Sequence, residues 1–382
     1  MSITAQQNLE LLLEGGAPRW IPFTLDAAAT PGLTPPILRL FHEKTGATDP
    51  AEYFCYDFRT FSLTARFGGS DPRAHHSYAK PGMHFDEWGV GHVSSGLEGT
   101  VEKTCPPMGH ATSIAQVEAY PSPVIDTATD LSPVAAYHAR GLPVFGYAGS
   151  VYEWSWWLRG METFLADMIL EPALVEAILA KVAAYTQRLA LASARAGIDV
   201  LCFYDDAGMQ TGMQMSPELW RRFIRPRWRD ILQAVRKHAP GVRTFLHSCG
   251  AIQPILPDIV DLGFDMLHPV QPECMDLAEV HRAFGRHIAL CATVSSQRIF
   301  PFGTPDDVRR EVRRLKAVCG SDRRGILTPS NLIQPETPWD NYRRLRRGSP
   351  RGPMTHMAAP VRSLTVAARI RKAPSAAMDA SH

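Results

Sequence analysis

The sequence lacks several features that would each have pointed elsewhere. No stretch approaches the ~18 consecutive apolar residues of a membrane span, so no membrane partner is expected. Neither sign of charge is in surplus: 40 Lys and Arg stand against 38 Asp and Glu, a net of +2, and nucleic acid is not an expected partner. The seven cysteines (Cys55, Cys105, Cys202, Cys249, Cys274, Cys291 and Cys319) are odd in number and widely scattered, which is not a disulfide framework. "MSITAQQNLELLLEGG" has no basic segment followed by a long apolar core, so no secretory signal is read. A reduced, cytoplasmic protein is expected. Finally, no glycine-rich phosphate fingerprint follows the first apolar run, which weakens a doubly wound nucleotide-binding sheet.

What the sequence does contain is a regular alternation. Short apolar runs lie at Trp20 to Leu25, Leu142 to Tyr147, Ile198 to Tyr204, Val242 to Leu246, Phe264 to Leu267, Ile288 to Cys291 and Gly325 to Leu327. A weaker one, Glu52 to Cys55, completes the set. Several are almost continuously apolar, as strands covered on both faces must be. Helix patterns stand between them. Ser216-Pro217-Glu218 opens one that reads on to about His238, and Thr304-Pro305-Asp306-Asp307 opens another to about Cys319, each with a capping hydroxyl and a proline in the first turn. Residues Glu171 to Ala196 form a third. Eight strands, most followed by helices, predict an α/β fold, a single (β/α)8 barrel over residues 1–345. The glycine-rich Gly82 to Thr104 predicts an inserted β-hairpin, and the basic, alanine- and proline-rich 346–382 a flexible tail.

In such a barrel, functional groups sit where strands end. The ends here carry Glu153 and Trp154; Asp205 and Asp206; His247 and Cys249; His268, Gln271 and Glu273; Ser295, Ser296 and Gln297; and Ser330, Asn331 and Gln334. An imidazole and a thiolate are both good zinc ligands, and two positions apart on an extended chain they face the same side. A cysteine buried merely for packing would produce the same motif. Adjacent carboxylates at Asp205 and Asp206 are costly near a core unless paired, hydrogen-bonded or functional, and a capping role for one of them is the alternative. Glu153 lies among Tyr152, Trp154, Trp156 and Trp157, whose rings also suit plain packing.

Several segments together resemble one known family. They are "DEWG" (86–89), "RGMETF" (159–164), "DDAGMQ" (205–210), "SPELWRRFIRPR" (216–227), "LHSCGAI" (246–252), "HPVQP" (268–272), "FGTPDDV" (302–308) and "IQPETPWDN" (333–341). In this order they resemble the uroporphyrinogen decarboxylase superfamily over residues 5–345. True decarboxylases of that superfamily carry an N-terminal "RQAGRY" segment and a pyrrole-gripping aspartate. The matching region, "RWIPFTLDAAATPGLTPPILRL", lacks that segment, and Asp26 is its only acid. The methyltransferase branch carries His-x-Cys and a third ligand, usually cysteine, in an "APGC"-like segment after the last strand. His247 and Cys249 match the first part; Asn331 stands where the third ligand belongs, and asparagine binds zinc poorly.

The resemblance therefore implies a methyltransferase that moves a methyl group between a small methylated compound and a corrinoid, folate or thiol acceptor. His247 and Cys249 would be zinc ligands, and a corrinoid would be presented by a partner protein. Glu153, Asp205, Cys274 or Cys291 would supply the missing ligand. Asp205, Asp206, Glu153 and Gln271 are the expected catalytic groups, and Asn331, Ser295, Gln210 and Trp154 the expected substrate contacts. The alternative is a metal-free decarboxylase or related lyase acting on a small aromatic or heterocyclic acid, with His247 binding the carboxylate.

Overall fold

Seven runs of the chain become parallel strands of one curled sheet. They are β1 (Arg59–Thr60), β2 (Val144–Gly149), β3 (Val200–Tyr204), β4 (Arg243–His247), β5 (Met266–Val270), β6 (Ala289–Val294) and β7 (Gly325–Pro329), side by side in chain order. The computed structural model describes residues 3–77, 82–94, 102–320 and 324–343, and the expected tail at 346–382 lies outside them. Residues 22–24 take the eighth position and join the two edges. Phe23 forms a parallel bridge with Leu327. The Leu327 N–H donates to the Pro22 carbonyl at 2.8 Å and the Thr24 N–H to the Leu327 carbonyl at 3.2 Å, while the Asp57 N–H donates to the Phe23 carbonyl at 2.9 Å. The result is the expected TIM-barrel-like α/β fold.

Side-chain alternation along the strands separates two cores. Phe145, Val200, Cys202, Phe245, Met266, Cys291 and Ile326 form one cluster inside the barrel. Leu201, Phe203, Leu246, Leu267 and Leu290 belong to a larger cluster shared with the helices. Successive strand residues point to opposite faces, so this parity continues into the loops that follow. Each fully buried Leu or Phe contributes about 1.5–3 kcal/mol, which makes the parity hard to shift.

The helices that matter for the site are α1 (Tyr152–Arg159), α2 (Pro172–Arg195), α3 (Pro217–Phe223), α4 (Arg225–His238) and α5 (Pro305–Val318). The Ser216 hydroxyl accepts from the Leu219 N–H, and Thr304 forms a capping box with Asp307, as the sequence suggested. The helix expected from Ser216 to His238 instead breaks at Ile224 into α3 and α4. Pro226 explains the break: it has no N–H to donate and fits best in a first turn.

A second correction concerns Glu52 to Cys55, expected as a strand. Pro50–Tyr53 is a helical turn, because Asp49 accepts from the Ala51 and Glu52 N–H groups; the strand lies further on, at β1. The expected hairpin is a small antiparallel sheet of His84–Phe85, Gly91–Ser94 and Glu102–Cys105, with residues 95–101 outside the described set. Asp86 organises its first turn, accepting from the Trp88 and Val90 N–H groups at 2.9 Å each. Trp88 then packs edge-on against Trp154 and Tyr185 at 5.8 and 5.3 Å, seating the insertion against α1 and α2. No helix among the described residues is long and apolar enough to cross a membrane.

Candidate metal centre

Strand register aligns one row of rings inside the barrel. Tyr204 pairs with His247, and His247 with His268, across β3, β4 and β5. Their ring centroids are 4.9 Å apart at each step, with interplanar angles of 28° and 31°. Two residues beyond Tyr204 and His247, the same parity points Asp206 and Cys249 inward. One ligand atom from each of Asp206, His247 and Cys249 lies within 4.8 Å of the others. Cys249 Sγ is 3.3 Å from His247 Nε2, and Asp206 Oδ1 is 3.5 Å from the same nitrogen. Asp206 Oδ1 also accepts the Cys249 N–H at 2.7 Å, which ties the two loops together.

The glycine after His247-Ser248-Cys249 has a steric reason. Gly250 has φ of +90°, and a Cβ there would stand 2.3 Å from the Gly208 carbonyl carbon. The two loop backbones touch, so neither position accepts a side chain. Gln271 adds a further tie, its Oε1 accepting the Gly250 N–H at 2.8 Å. The Ser248 hydroxyl accepts the Ala207 N–H at 3.1 Å. The backbone around Cys249 is thus held by contacts from two neighbouring strand ends, those of β3 and β5.

Asp205 has the opposite orientation. Its Oδ1 accepts from the Ser150 hydroxyl and from the Tyr152 and Glu153 N–H groups at 2.8, 2.7 and 3.0 Å, and its Oδ2 from Trp228 Nε1 at 2.9 Å. It caps the N-terminus of α1 and joins that helix to α4. Burial raises its pKa to about 6 against the opposing effect of those donors. Burial also raises Asp206 to about 6, opposed by the Cys249 N–H. Glu153, in the first turn of α1, is pushed well above the ordinary carboxylate range by burial and then by the charges of Asp206 and Asp205. Burial holds the Cys249 thiol high, with Asp206 and Glu153 adding to it. Burial alone lowers His247 to about 4, so its ring is neutral at neutral pH.

The other expected residues fall into different places. Asn331 comes to the site: its Nδ2 is 3.6 Å from Cys249 Sγ, and its N–H donates to the Ser296 hydroxyl at 2.9 Å. Trp154 is buried behind Tyr147 at 5.7 Å and serves the aromatic packing. The Ser295 hydroxyl is engaged with the Glu273 carboxylate and accepts from the Arg298 N–H at 2.8 Å. Gln210 lies outside on the loop, 3.3 Å from Gln297. The third donor beside His247 and Cys249 is Asp206, which the sequence suggested only as an acid or base. None of Glu153, Asp205, Cys274 and Cys291 joins this group. Cys291 lies in the barrel's inner core and Cys274 beside Met209 and Gln210. His268 stands at a strand end, where the sequence alone gives it no role. Counting alternate residues from Cys202 and Phe245 would have selected both Asp206 and His247.

The donor set suits zinc. A neutral imidazole nitrogen, a thiol sulfur and a carboxylate oxygen are its usual protein ligands, and three of them leave one position open, as in catalytic sites. The uroporphyrinogen decarboxylase (URO-D) family model matches residues 102–347. Two curated relatives, each named methylcobamide:CoM methyltransferase MtaA, come from Methanosarcina barkeri and its strain Fusaro. They are 27% and 28% identical over 198 and 200 residues. Each match covers 49% of this chain and 55% of the relative, so the chain spans about half the length of the curated relatives it matches. A solved methyltransferase from Methanosarcina mazei has the same fold, with a TM-score of 0.63 at 19% identity over 91% of this chain and 99% of that one.

Proposed function

Since the chain belongs to the uroporphyrinogen decarboxylase family, we propose that it is a zinc-dependent methyltransferase. It would move a methyl group between a small methylated compound and a corrinoid, folate or thiol acceptor. The observation that carries this reading is the convergence of Asp206, His247 and Cys249 at the strand ends, within 4.8 Å of one another. Zinc held by these three residues would supply a Lewis acid toward a thiol or toward a leaving oxygen or nitrogen. A corrinoid as one partner in the transfer, with a thiol as the other, accords with the names of the curated relatives.

The chain's own groups have separable tasks. His247 offers a neutral nitrogen at physiological pH because burial keeps it unprotonated. Cys249 is a thiol in the free protein and would give up its proton to serve as a ligand. The Asn331 amide donates to the Cys249 sulfur at 3.6 Å, which tempers the charge of the resulting thiolate. Glu153 keeps its proton in the field of Asp206 and would give it to a departing oxygen or nitrogen. Asp205, with both oxygens engaged, holds α1 and thereby Glu153. The decarboxylase alternative gains nothing from this geometry, since an uncharged His247 supplies no cation to grip a carboxylate.

The test is methyl transfer itself. Zinc-loaded protein is mixed with methylcobalamin and a panel of thiols, and with cob(I)alamin and methylated ethers or amines, while the corrinoid spectrum is followed. Zinc-dependent conversion with at least one pair is expected, and Cys249→Ser removes it. Conversion that is indifferent to zinc and to Cys249, or release of carbon dioxide from an aromatic acid by the metal-free chain, refutes the reading.

A further inference from the structure

Taking Asp206, His247 and Cys249 as the ligand set, we propose that His268 is a positioning residue. Anchored on the Pro329 carbonyl, it fixes the tautomer of His247 and so directs the His247 Nε2 lone pair at the other two ligands.

The inference follows the protons from one end. His268 Nε2 lies 3.0 Å from the Pro329 carbonyl oxygen. A carbonyl only accepts, so this nitrogen carries hydrogen. His268 is fully buried, and its hydrogen-bond partners are a carbonyl and a second imidazole, neither an anion that would pair with a charged ring. A neutral imidazole has one N–H, so His268 Nδ1 presents a lone pair. That atom is 2.8 Å from His247 Nδ1, and the contact needs one proton, which His247 Nδ1 must supply. His247 Nε2 is then bare, 3.3 Å from Cys249 Sγ and 3.5 Å from Asp206 Oδ1. The opposite tautomer of His247 would set two lone pairs against each other between the rings, with neither nitrogen able to donate. It would also put an N–H where the cation belongs.

The frame around this relay is rigid. β5 and β7 are not neighbours, since β6 lies between them, so His268 reaches Pro329 across the barrel interior. The two imidazoles and Tyr204 form one stack. Tyr204 is itself held by its hydroxyl, which donates to the Ala27 carbonyl at 2.6 Å and accepts from the Ala29 N–H at 2.9 Å. Groups that orient a ligand's second nitrogen typically change metal affinity about 10–100-fold when removed.

Two measurements on the full chain decide the matter. In the metal-free, histidine-15N-labelled protein, NMR correlation of ring nitrogens with ring protons reports each tautomer. His247 protonated on Nδ1 and His268 on Nε2 is the expected result; His247 protonated on Nε2 overturns the proposal. Zinc affinity is then measured by chelator competition in two variants. His268→Phe keeps an aromatic ring but loses both hydrogen bonds, and zinc should bind about 10–100-fold more weakly. His268→Gln can accept from His247 and donate to Pro329, and should stay within about 3-fold of wild type, a rescue that a purely packing role does not give. A folded His268→Phe with wild-type affinity overturns the proposal, and should that variant fail to fold, the NMR result alone decides. Wild type that takes up no zinc refutes the metal site, whereas the tautomer assignment still stands or falls on the NMR spectrum.

Discussion

Asp205 and Asp206 are adjacent in the chain and serve opposite sides of the barrel wall. Asp205 Oδ1 accepts the Tyr152 N–H at 2.7 Å on the helix side, while Asp206 Oδ1 accepts the Cys249 N–H at 2.7 Å on the inside. The parity of β3 decides which is which: Cys202 and Tyr204 point inward, Leu201 and Phe203 outward.

Exchanging each for asparagine should therefore give different defects. Asp205→Asn puts an amide NH2 against N–H donors that now meet a carboxylate, and stability should fall by on the order of 3 kcal/mol with zinc binding retained. Asp206→Asn should cost little stability and weaken zinc by about 10-fold or more. Urea denaturation and chelator competition on both variants check the pair; equal effects on zinc from the two would contradict the assignment.

Much of the fold and part of the site are legible in the sequence. The strand-end polar residues mark the end of the barrel where Asp206, His247 and Cys249 converge, because a run such as Thr244-Phe245-Leu246 that stops on a histidine marks where a buried strand gives way to a loop. The third donor is hidden because Asp206 and Asp205 look alike in sequence and only strand parity separates them. The Glu52 to Cys55 segment misleads because its apolar residues suit a strand, whereas Asp49 and Pro50 nucleate a turn through local hydrogen bonds. The break at Ile224 is signalled by Pro226, and the long apolar pattern on either side of it masks the signal. The role of His268 depends on a carbonyl 61 residues away, a contact that no local pattern encodes.

Gly250 should be intolerant of any side chain. A Cβ would meet the Gly208 carbonyl carbon at 2.3 Å on a backbone with φ of +90°. Gly250→Ala should lower stability by about 2 kcal/mol or more and weaken zinc, since the loop carrying Cys249 must move. Thermal melts alongside zinc titration check this; an alanine variant with wild-type values would show that the two loops are not in contact.

Asn331→Cys should tighten zinc. The asparagine Nδ2 already lies 3.6 Å from Cys249 Sγ, so a thiolate at this position joins the ligand group and completes the set the methyltransferase branch uses. Under reducing conditions, chelator competition should show affinity higher by about 10-fold or more, with less open coordination and lower methyl-transfer activity. Unchanged affinity would place Asn331 outside the centre.

Glu87 provides a pH signature away from the ligands. Burial, then the neighbouring Asp86 charge, raises its pKa to about 7, so the folded chain holds this proton more tightly than the unfolded one. Its contribution is most favourable below the ordinary carboxylate value of 4.5 and is lost as pH rises to about 7. Glu87→Gln should leave stability near the ordinary carboxylate pKa little changed and raise it at about pH 8 by on the order of 1 kcal/mol. Urea denaturation of both proteins across this range should show the difference growing with pH; a difference that shrinks with pH would contradict the sign.

The most direct test of the central claim is the zinc content of the purified chain, measured beside that of Cys249→Ser. The account predicts about one zinc per wild-type chain, a metal-free and inactive Cys249→Ser, and a circular dichroism spectrum and melting behaviour shared by both, since the barrel core does not depend on the site. A wild-type protein that is active without metal, together with an equally active Cys249→Ser, would contradict it.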